Sequence, residues 1–274
     1  MSVQGDSSSP EGVVRVSLSR QDGPREDLLV VEEPLAIRVN QRSIAVVLRT
    51  PTSLEQDLDL AIGFLVTEGV IDGLDDVAAA SHCTDPARPN RQNVVQISLN
   101  SGLSEGLHRL ERAQRTQFVG SSCGVCGKAS MDRVFQCVTP FKERRSLQPD
   151  LIYALPHRLR AEQTLFQETG GLHGAGLFTA DGDLLFLAED VGRHNAVDKV
   201  IGRAFRAGLL PLGEHILVVS SRAGFEIVQK ALMAGIGAVI SVGAASSLAD
   251  ELARESRLAL YSFVRDGQFN GHSD

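Results

Sequence analysis

Cys123 and Cys126 stand three positions apart in Phe118-Val119-Gly120-Ser121-Ser122-Cys123-Gly124-Val125-Cys126-Gly127-Lys128, a run of small residues with little reason to be buried or rigid. Thiols that only filled a core would sit among large apolar side chains at a helix or strand period, so this pair reads as presented. Met131, Val134 and Phe135 then follow at helical spacing. A helix beginning near Gly127 turns its unpaired amides and its dipole toward the thiols, and Lys128 adds a positive charge; both favour thiolate over thiol. The chemistry expected is that of a sulfur nucleophile. Cys137 fits the buried side of the same helix and is assigned no chemistry. His82 and Cys83 are the other residues that could complete a metal site with the pair. A structural zinc site usually shows two close pairs, however, and no metal is expected.

Further polar groups gather where strands give way to helices. Glu168-Thr169-Gly170-Gly171-Leu172-His173-Gly174-Ala175-Gly176 reads as a glycine-rich loop around His173, at the wrong spacing for a dinucleotide fingerprint. Glu189-Asp190-Val191-Gly192-Arg193-His194-Asn195 is dense in carboxylates, Arg, His and Asn, and is expected to be a polar binding site rather than a helix-cap network. Ser220-Ser221-Arg222, Gly243-Ala244-Ala245-Ser246-Ser247 and Arg265-Asp266-Gly267-Gln268 end three apolar strands. Serine-rich turns with arginines at one sheet edge offer a phosphate-bearing ligand amides, hydroxyls and fixed positive charge. Some of these serines also serve as helix N-caps.

The elements that must position these groups fall into two kinds. Alternating stretches at 14–18, 35–39 and 44–48 predict strands, the latter two as a hairpin, and make the first half an antiparallel sheet. Ser53 is placed to cap a helix opening at Leu54, with Gln56 reaching back in a capping box. Leu54, Leu58, Ala61, Ile62 and Leu65 form its apolar face, which is expected to pack on the sheet, and Gly69 ends it. Residues 81–93 read as a loop, 94–99 as a strand and 103–115 as a helix. A charged linker over 142–149 leads to a helix over 156–167 with Pro156 in its first turn. A hairpin turns at Asp181-Gly182-Asp183. Beyond it, continuous apolar strands at 216–219, 238–242 and 258–264 alternate with helices at 222–234 and 247–255, the pattern of a parallel sheet covered on both faces.

Composition narrows the class. The 274 residues are 43% hydrophobic and carry a net charge of -7, which opposes non-specific affinity for nucleic acid. No apolar run is long enough to cross a bilayer and the first residues lack a signal-peptide pattern, so a cytoplasmic protein away from membranes is expected. Four cysteines are too few for a disulfide scaffold. Residues 1–11 are expected to be a disordered tail.

Five segments taken in order resemble the formate dehydrogenase accessory sulfurtransferases, the FdhD family: residues 120–127 around the CxxC, Thr169-Gly170-Gly171-Leu172-His173, residues 189–199, Ser220-Ser221-Arg222-Ala223-Gly224 and Ser246-Ser247-Leu248-Ala249. The resemblance implies an α/β fold, a three-layer α/β/α sandwich similar to the cytidine deaminases. The chain is expected to divide into a smaller β-rich N-terminal subdomain over 12–117, a mobile CxxC loop over 118–128 and a C-terminal α/β cofactor-binding subdomain over 129–270. Deamination is not expected, because His173 is followed by Gly174-Ala175 rather than by a Glu two positions on. The implied function is sulfur transfer. A cysteine desulfurase passes persulfide sulfur to Cys123, with Cys126 as helper or second carrier, for delivery to the molybdenum of the bis(molybdopterin guanine dinucleotide) cofactor, the bound substrate, before that cofactor enters the catalytic subunit of formate dehydrogenase. By the same resemblance Phe263, Val264, Arg265, Asp266, Gly267 and Gln268 bind the guanine nucleotide moiety, and the chain is a homodimer; Ser220, Ser221, Arg222, Ser246, His173, Arg193 and His194, picked out by the strand-end and loop patterns above, are expected to complete that site. Two rival readings of the thiols are a molybdenum-cofactor-binding chaperone without sulfur transfer and a CxxC thiol-disulfide oxidoreductase; the latter calls for a thioredoxin-like strand-helix unit that the sequence does not display.

Overall fold

The computed structural model describes residues 11–20, 23–87, 90–100 and 139–272. Cys123 and Cys126, with the helices expected on either side of them, lie outside the described residues, as does nearly all of the expected tail.

Period-two patterning builds the first half. Strands β1 (Val13–Arg20) and β2 (Gly23–Val30) pair antiparallel. The predicted hairpin forms from β3 (Glu33–Val39) and β4 (Arg42–Arg49), with Leu35, Ile37 and Val39 turned inward. Asn40 and Gln41 make its two-residue turn with φ of 46° and 69°, the left-handed geometry whose twist matches the flanking strands. Strands β5 (Val77–His82) and β6 (Val94–Leu99) complete a sheet of order β4-β3-β6-β5. Ser81 and His82 therefore end a strand rather than begin a loop. The alanine-rich β5 has no alternation of its own and owes its form to antiparallel pairing with β6.

Helix α1 (Leu54–Thr67) starts where expected: the Gln56 N–H donates to Ser53 Oγ at 3.1 Å. Only half of the capping box forms, because the Gln56 side chain accepts from the Thr52 hydroxyl at 2.7 Å instead of reaching the Ser53 amide. Nor is α1 a surface helix with one apolar face. Leu60, Phe64, Leu65 and Val66 are buried along with Ala61 and Ile62, whereas Leu54 is exposed. A single apolar cluster contains α1 residues together with inward side chains of the β4-β3-β6-β5 sheet and of the sheet formed by the second half of the chain.

The second half is a sheet of order β12-β11-β10-β9-β7-β8, made from β7 (His173–Phe178), β8 (Leu184–Asp190), β9 (Ile216–Val219), β10 (Ala238–Ser241), β11 (Ala259–Arg265) and β12 (Gln268–His272). Only β9, β10 and β11 run parallel, so the expected parallel sheet is in fact mixed. The reason is connection length: β7–β8 and β11–β12 are joined by turns too short for a crossover and must be antiparallel.

Helices α2 (Pro149–Glu162), α3 (Thr164–Thr169), α4 (Arg193–Arg206), α5 (Phe225–Met233) and α6 (Ser247–Ser256) complete the described chain. On one face of the second sheet α2 buries Ile152, Leu155 and Leu159 against Phe178, Ile216, Val218 and Ile240. Residues of α4, α5 and α6 share the other cluster with Leu217, Val219 and Val239. The sequence places Pro156 in a first turn, but Pro149 takes that position and Pro156 lies inside the helix. The segment from His173 to Gly176, expected as loop, is strand; a Cβ on Gly174 would stand 2.5 Å from the Gln163 side chain, so glycine there lets the α2–α3 junction close onto β7.

Candidate functional site

Because β7 runs against β9, its first residue lies at the same sheet edge as the carboxyl ends of β8, β9, β10 and β11. Backbone bonds knit the turns at that edge into one rim. The Ser220 N–H donates to Gly174 O at 3.0 Å, Ala223 N–H to Ala244 O at 2.9 Å, and Phe263 N–H to Gly243 O at 2.9 Å. Helices α4, α5 and α6 all start here, behind Gly192, Gly224 and Ser246. The two glycine caps supply no side-chain oxygen, so first-turn amides and dipole ends are left facing the rim. Ligands of open α/β sheets collect at such edges.

The rim brings together His173, Arg193, His194, Ser220, Ser221, Arg222, Ser246 and the segment 263–268. Their side chains are not equally free. Ser220 Oγ accepts from Gly174 N–H at 2.9 Å, Ser221 Oγ donates to Arg222 O at 3.1 Å, and Ser246 Oγ accepts from Ala249 N–H at 3.3 Å as the cap of α6. These hydroxyls shape the turns first; Ser220 and Ser246 keep a proton to donate. Val264 is buried at 2% exposure beneath α2, so it can offer only its backbone to a ligand. Arg222 and Arg265 are exposed, the latter with its guanidinium carbon 5.9 Å from the Phe263 ring centroid. Asp266 and Gly267 form the β11–β12 turn, where Asp266 meets His157 at 2.6 Å.

Most of the 189–195 cluster serves the fold, contrary to the expectation of a binding site. Glu189 accepts from Leu165 N–H at 3.0 Å and Phe166 N–H at 2.8 Å, capping α3. Burial pushes its carboxyl up, against the pull of those two amides. Asp190, fully buried, accepts from the Gly192 amide and the Asn195 side chain at 2.8 Å each, and from Thr50 N–H at 3.2 Å. Lys199 Nζ completes its shell at 2.7 Å. Carboxylates carried inside by an apolar strand must be paired this way, and here Asp190 bolts the β4–α1 junction to α4 while Glu189 ties β8 to α3. Arg193 and His194 stay half-buried at the rim.

Sequence reasoning missed Glu226. In the first turn of α5, it takes His194 Nε2 at 2.6 Å and so links the starts of α4 and α5. Its only sequence signal is its place two residues after Gly224. The His194 hydrogen bond holds its carboxyl below the usual range, outweighing burial. His173 is pushed below the usual imidazole value by burial first, then by Arg193 and His194, with Asp190 opposing. The rim therefore combines a neutral imidazole with permanent arginine charge, an arrangement for holding an anion. Both nitrogens of His82 face backbone carbonyls: Nδ1 lies 2.9 Å from Gln92 O and Nε2 2.9 Å from Leu54 O. No helix among the described residues is long and apolar enough to cross a membrane.

Residues 30–274 match the model of the FdhD/NarQ family. The chain is 46% identical over 255 residues to the sulfur carrier protein FdhD of Streptomyces avermitilis, spanning 90% of this chain and 87% of that one. It is 44% identical over 253 residues to the protein of that name from Mycobacterium tuberculosis, 90% of each, and 41% identical over 273 residues to that of Anaeromyxobacter dehalogenans, 97% and 94%. Among solved structures, a candidate formate dehydrogenase accessory protein from Desulfotalea psychrophila superposes with a TM-score of 0.70 at 22% identity, covering 96% of both chains, and so shares the fold.

Proposed function

Since this chain belongs to the FdhD/NarQ family, we propose that it is the sulfur carrier that equips formate dehydrogenase with an active molybdenum cofactor. The observation that carries this reading is the 46% identity, over nine tenths of the chain, to a relative named a sulfur carrier, in a sequence that holds Cys123 and Cys126. In the loading step the Cys123 thiolate attacks the outer sulfur of a desulfurase cysteine persulfide. A sulfur–sulfur bond forms on Cys123, the desulfurase bond breaks, and the desulfurase cysteine leaves as thiolate. Cys126 acts as helper or second carrier. Delivery is to the molybdenum of a bis(molybdopterin guanine dinucleotide) cofactor held as substrate.

The rim suits the nucleotide end of that substrate. Arg222, Arg193 and Arg265 supply permanent charge, and the starts of α4, α5 and α6 supply amides for phosphate oxygens. Phe263, exposed beside Arg265, offers an apolar ring to a base. Helices on both faces of the second sheet support the α/β/α layering expected from the resemblance. On the same reading the protein is a cytoplasmic homodimer that meets a cysteine desulfurase and then the dehydrogenase catalytic subunit.

The deciding experiment is the intact mass of the chain after incubation with a cysteine desulfurase and cysteine. Wild type gains one reducible sulfur; Cys123→Ser gains none and loses the ability to activate formate dehydrogenase while still binding GDP. No added sulfur on the wild type, with an active desulfurase, would leave a cofactor-binding chaperone as the reading instead.

A further inference from the structure

Behind the rim, three polar side chains join in a line. Ser262 Oγ lies 2.8 Å from His272 Nε2, and His272 Nδ1 lies 2.6 Å from Asp250 Oδ1. Asp250 also takes Arg254 Nε at 3.1 Å. A neutral ring satisfies both neighbours only as the Nδ1–H tautomer, donating to the carboxylate and accepting the serine proton at Nε2. The order of groups is that of a hydrolase triad, but Ser262 is 1% exposed, which denies a substrate carbonyl access to its hydroxyl. Its role must lie in what it holds.

What it holds is an unusual piece of backbone. Register slips between Ser262 and Arg265, and Phe263, next to Ser262, has a φ of 51°. A residue with a Cβ is strained in the left-handed region and stays there only when its surroundings over-determine it. Here the Phe263 amide is bound to Gly243 O while its ring stays 42% exposed at the rim. Asp250, at the other end of the line, lies in the first turn of α6, the helix that Ser246 caps. One chain of hydrogen bonds thus spans β11, β12 and α6, and connects two walls of the rim.

We propose that Ser262, His272 and Asp250 form a positioning relay that locks the Phe263 bulge to the start of α6 and so sets the nucleotide-binding wall; this rests on the nucleotide reading of the rim given above. Burial pushes the Asp250 carboxyl up, but its bonds to His272 and Arg254 prevail and keep it below the usual range, so it remains a charged acceptor at neutral pH.

The test compares full-length wild type with His272→Ala, Ser262→Ala and His272→Gln, by calorimetric GDP binding, amide hydrogen exchange across 259–268 and sulfur loading of Cys123. Both alanine variants should bind GDP about tenfold more weakly, the scale of one hydrogen bond involving a charged network, and should exchange the Phe263 amide faster. Sulfur loading should be unchanged. His272→Gln, able to accept from Ser262 and donate to Asp250, should recover most of the affinity. Ser262→Ala removes a single hydroxyl and guards against a folding defect. Wild-type GDP affinity and exchange in both alanine variants would overturn the relay and leave the nucleotide reading standing. A wild-type chain that loads sulfur but binds no GDP would overturn the nucleotide reading, and with it the relay's stated purpose.

Discussion

Gly63 and Gly202 face each other where α1 crosses α4: a Cβ on Gly63 would lie 1.8 Å from Asp198 O, and one on Gly202 would lie 1.8 Å from Asp59 O. The obstacles are backbone atoms of the opposite helix, which no rotamer can move aside. In an exposed helix Gly→Ala gains up to about 1 kcal/mol from propensity. Here the clash forces the helices apart in a close-packed core, and Gly63→Ala or Gly202→Ala should lose about 2 kcal/mol or more. Chemical denaturation of each variant checks this, with unchanged or raised stability as the contrary result.

Arg49 and Asp57 form a buried pair in which Nε meets Oδ1 at 2.8 Å and the second guanidinium arm meets Oδ2 at 2.9 Å. Burial pushes the Arg49 guanidinium down, but Asp57 and Glu33 outweigh it and leave it raised. Arg49→Met strands the Asp57 carboxylate and should cost about 3–5 kcal/mol. The double variant Arg49→Met/Asp57→Leu should recover most of that loss in a denaturant titration.

His173 provides a pH prediction. Its folded value is lowered, so the stability it contributes is full above the ordinary imidazole value of 6.5 and is lost as pH falls through the lowered folded value. Its ring should titrate below 6.5 by NMR. Arg193→Met should raise that midpoint while leaving it below 6.5, because burial, the larger cause, is unaltered. A midpoint at or above the ordinary value in the wild type would contradict the burial of the ring.

Arg222 tests the electrostatics of the rim without disturbing its frame, since the side chain is exposed on a turn held by backbone bonds. Arg222→Ala should weaken GDP binding about tenfold, within the range of hydrogen bonds to charged groups. The difference from wild type should shrink as salt rises. Thermal stability should be unchanged. Equal GDP affinity at low salt would remove Arg222 from the site.

Local signals made much of this protein legible in its sequence. The β3–β4 hairpin, the Ser53 cap, the β7–β8 turn and the strand-helix alternation after residue 215 are set by patterns a few residues long, and the structure contains each of them. The expectation of a sulfur nucleophile at Cys123 and Cys126 rests on residue type and near neighbours alone, and both cysteines lie outside the described residues. Only the tertiary structure decided which polar residues are spent on folding. Asp190 looks the same in sequence whether it binds a ligand or Thr50, which is 140 positions away. The burial of α1 and the meeting of Ser262 with Asp250 through His272 depend likewise on partners that sequence pattern does not record. Hydrophobic period carries no record of such partners: it states which face turns inward, while the groups that face meets are chosen when the whole core closes.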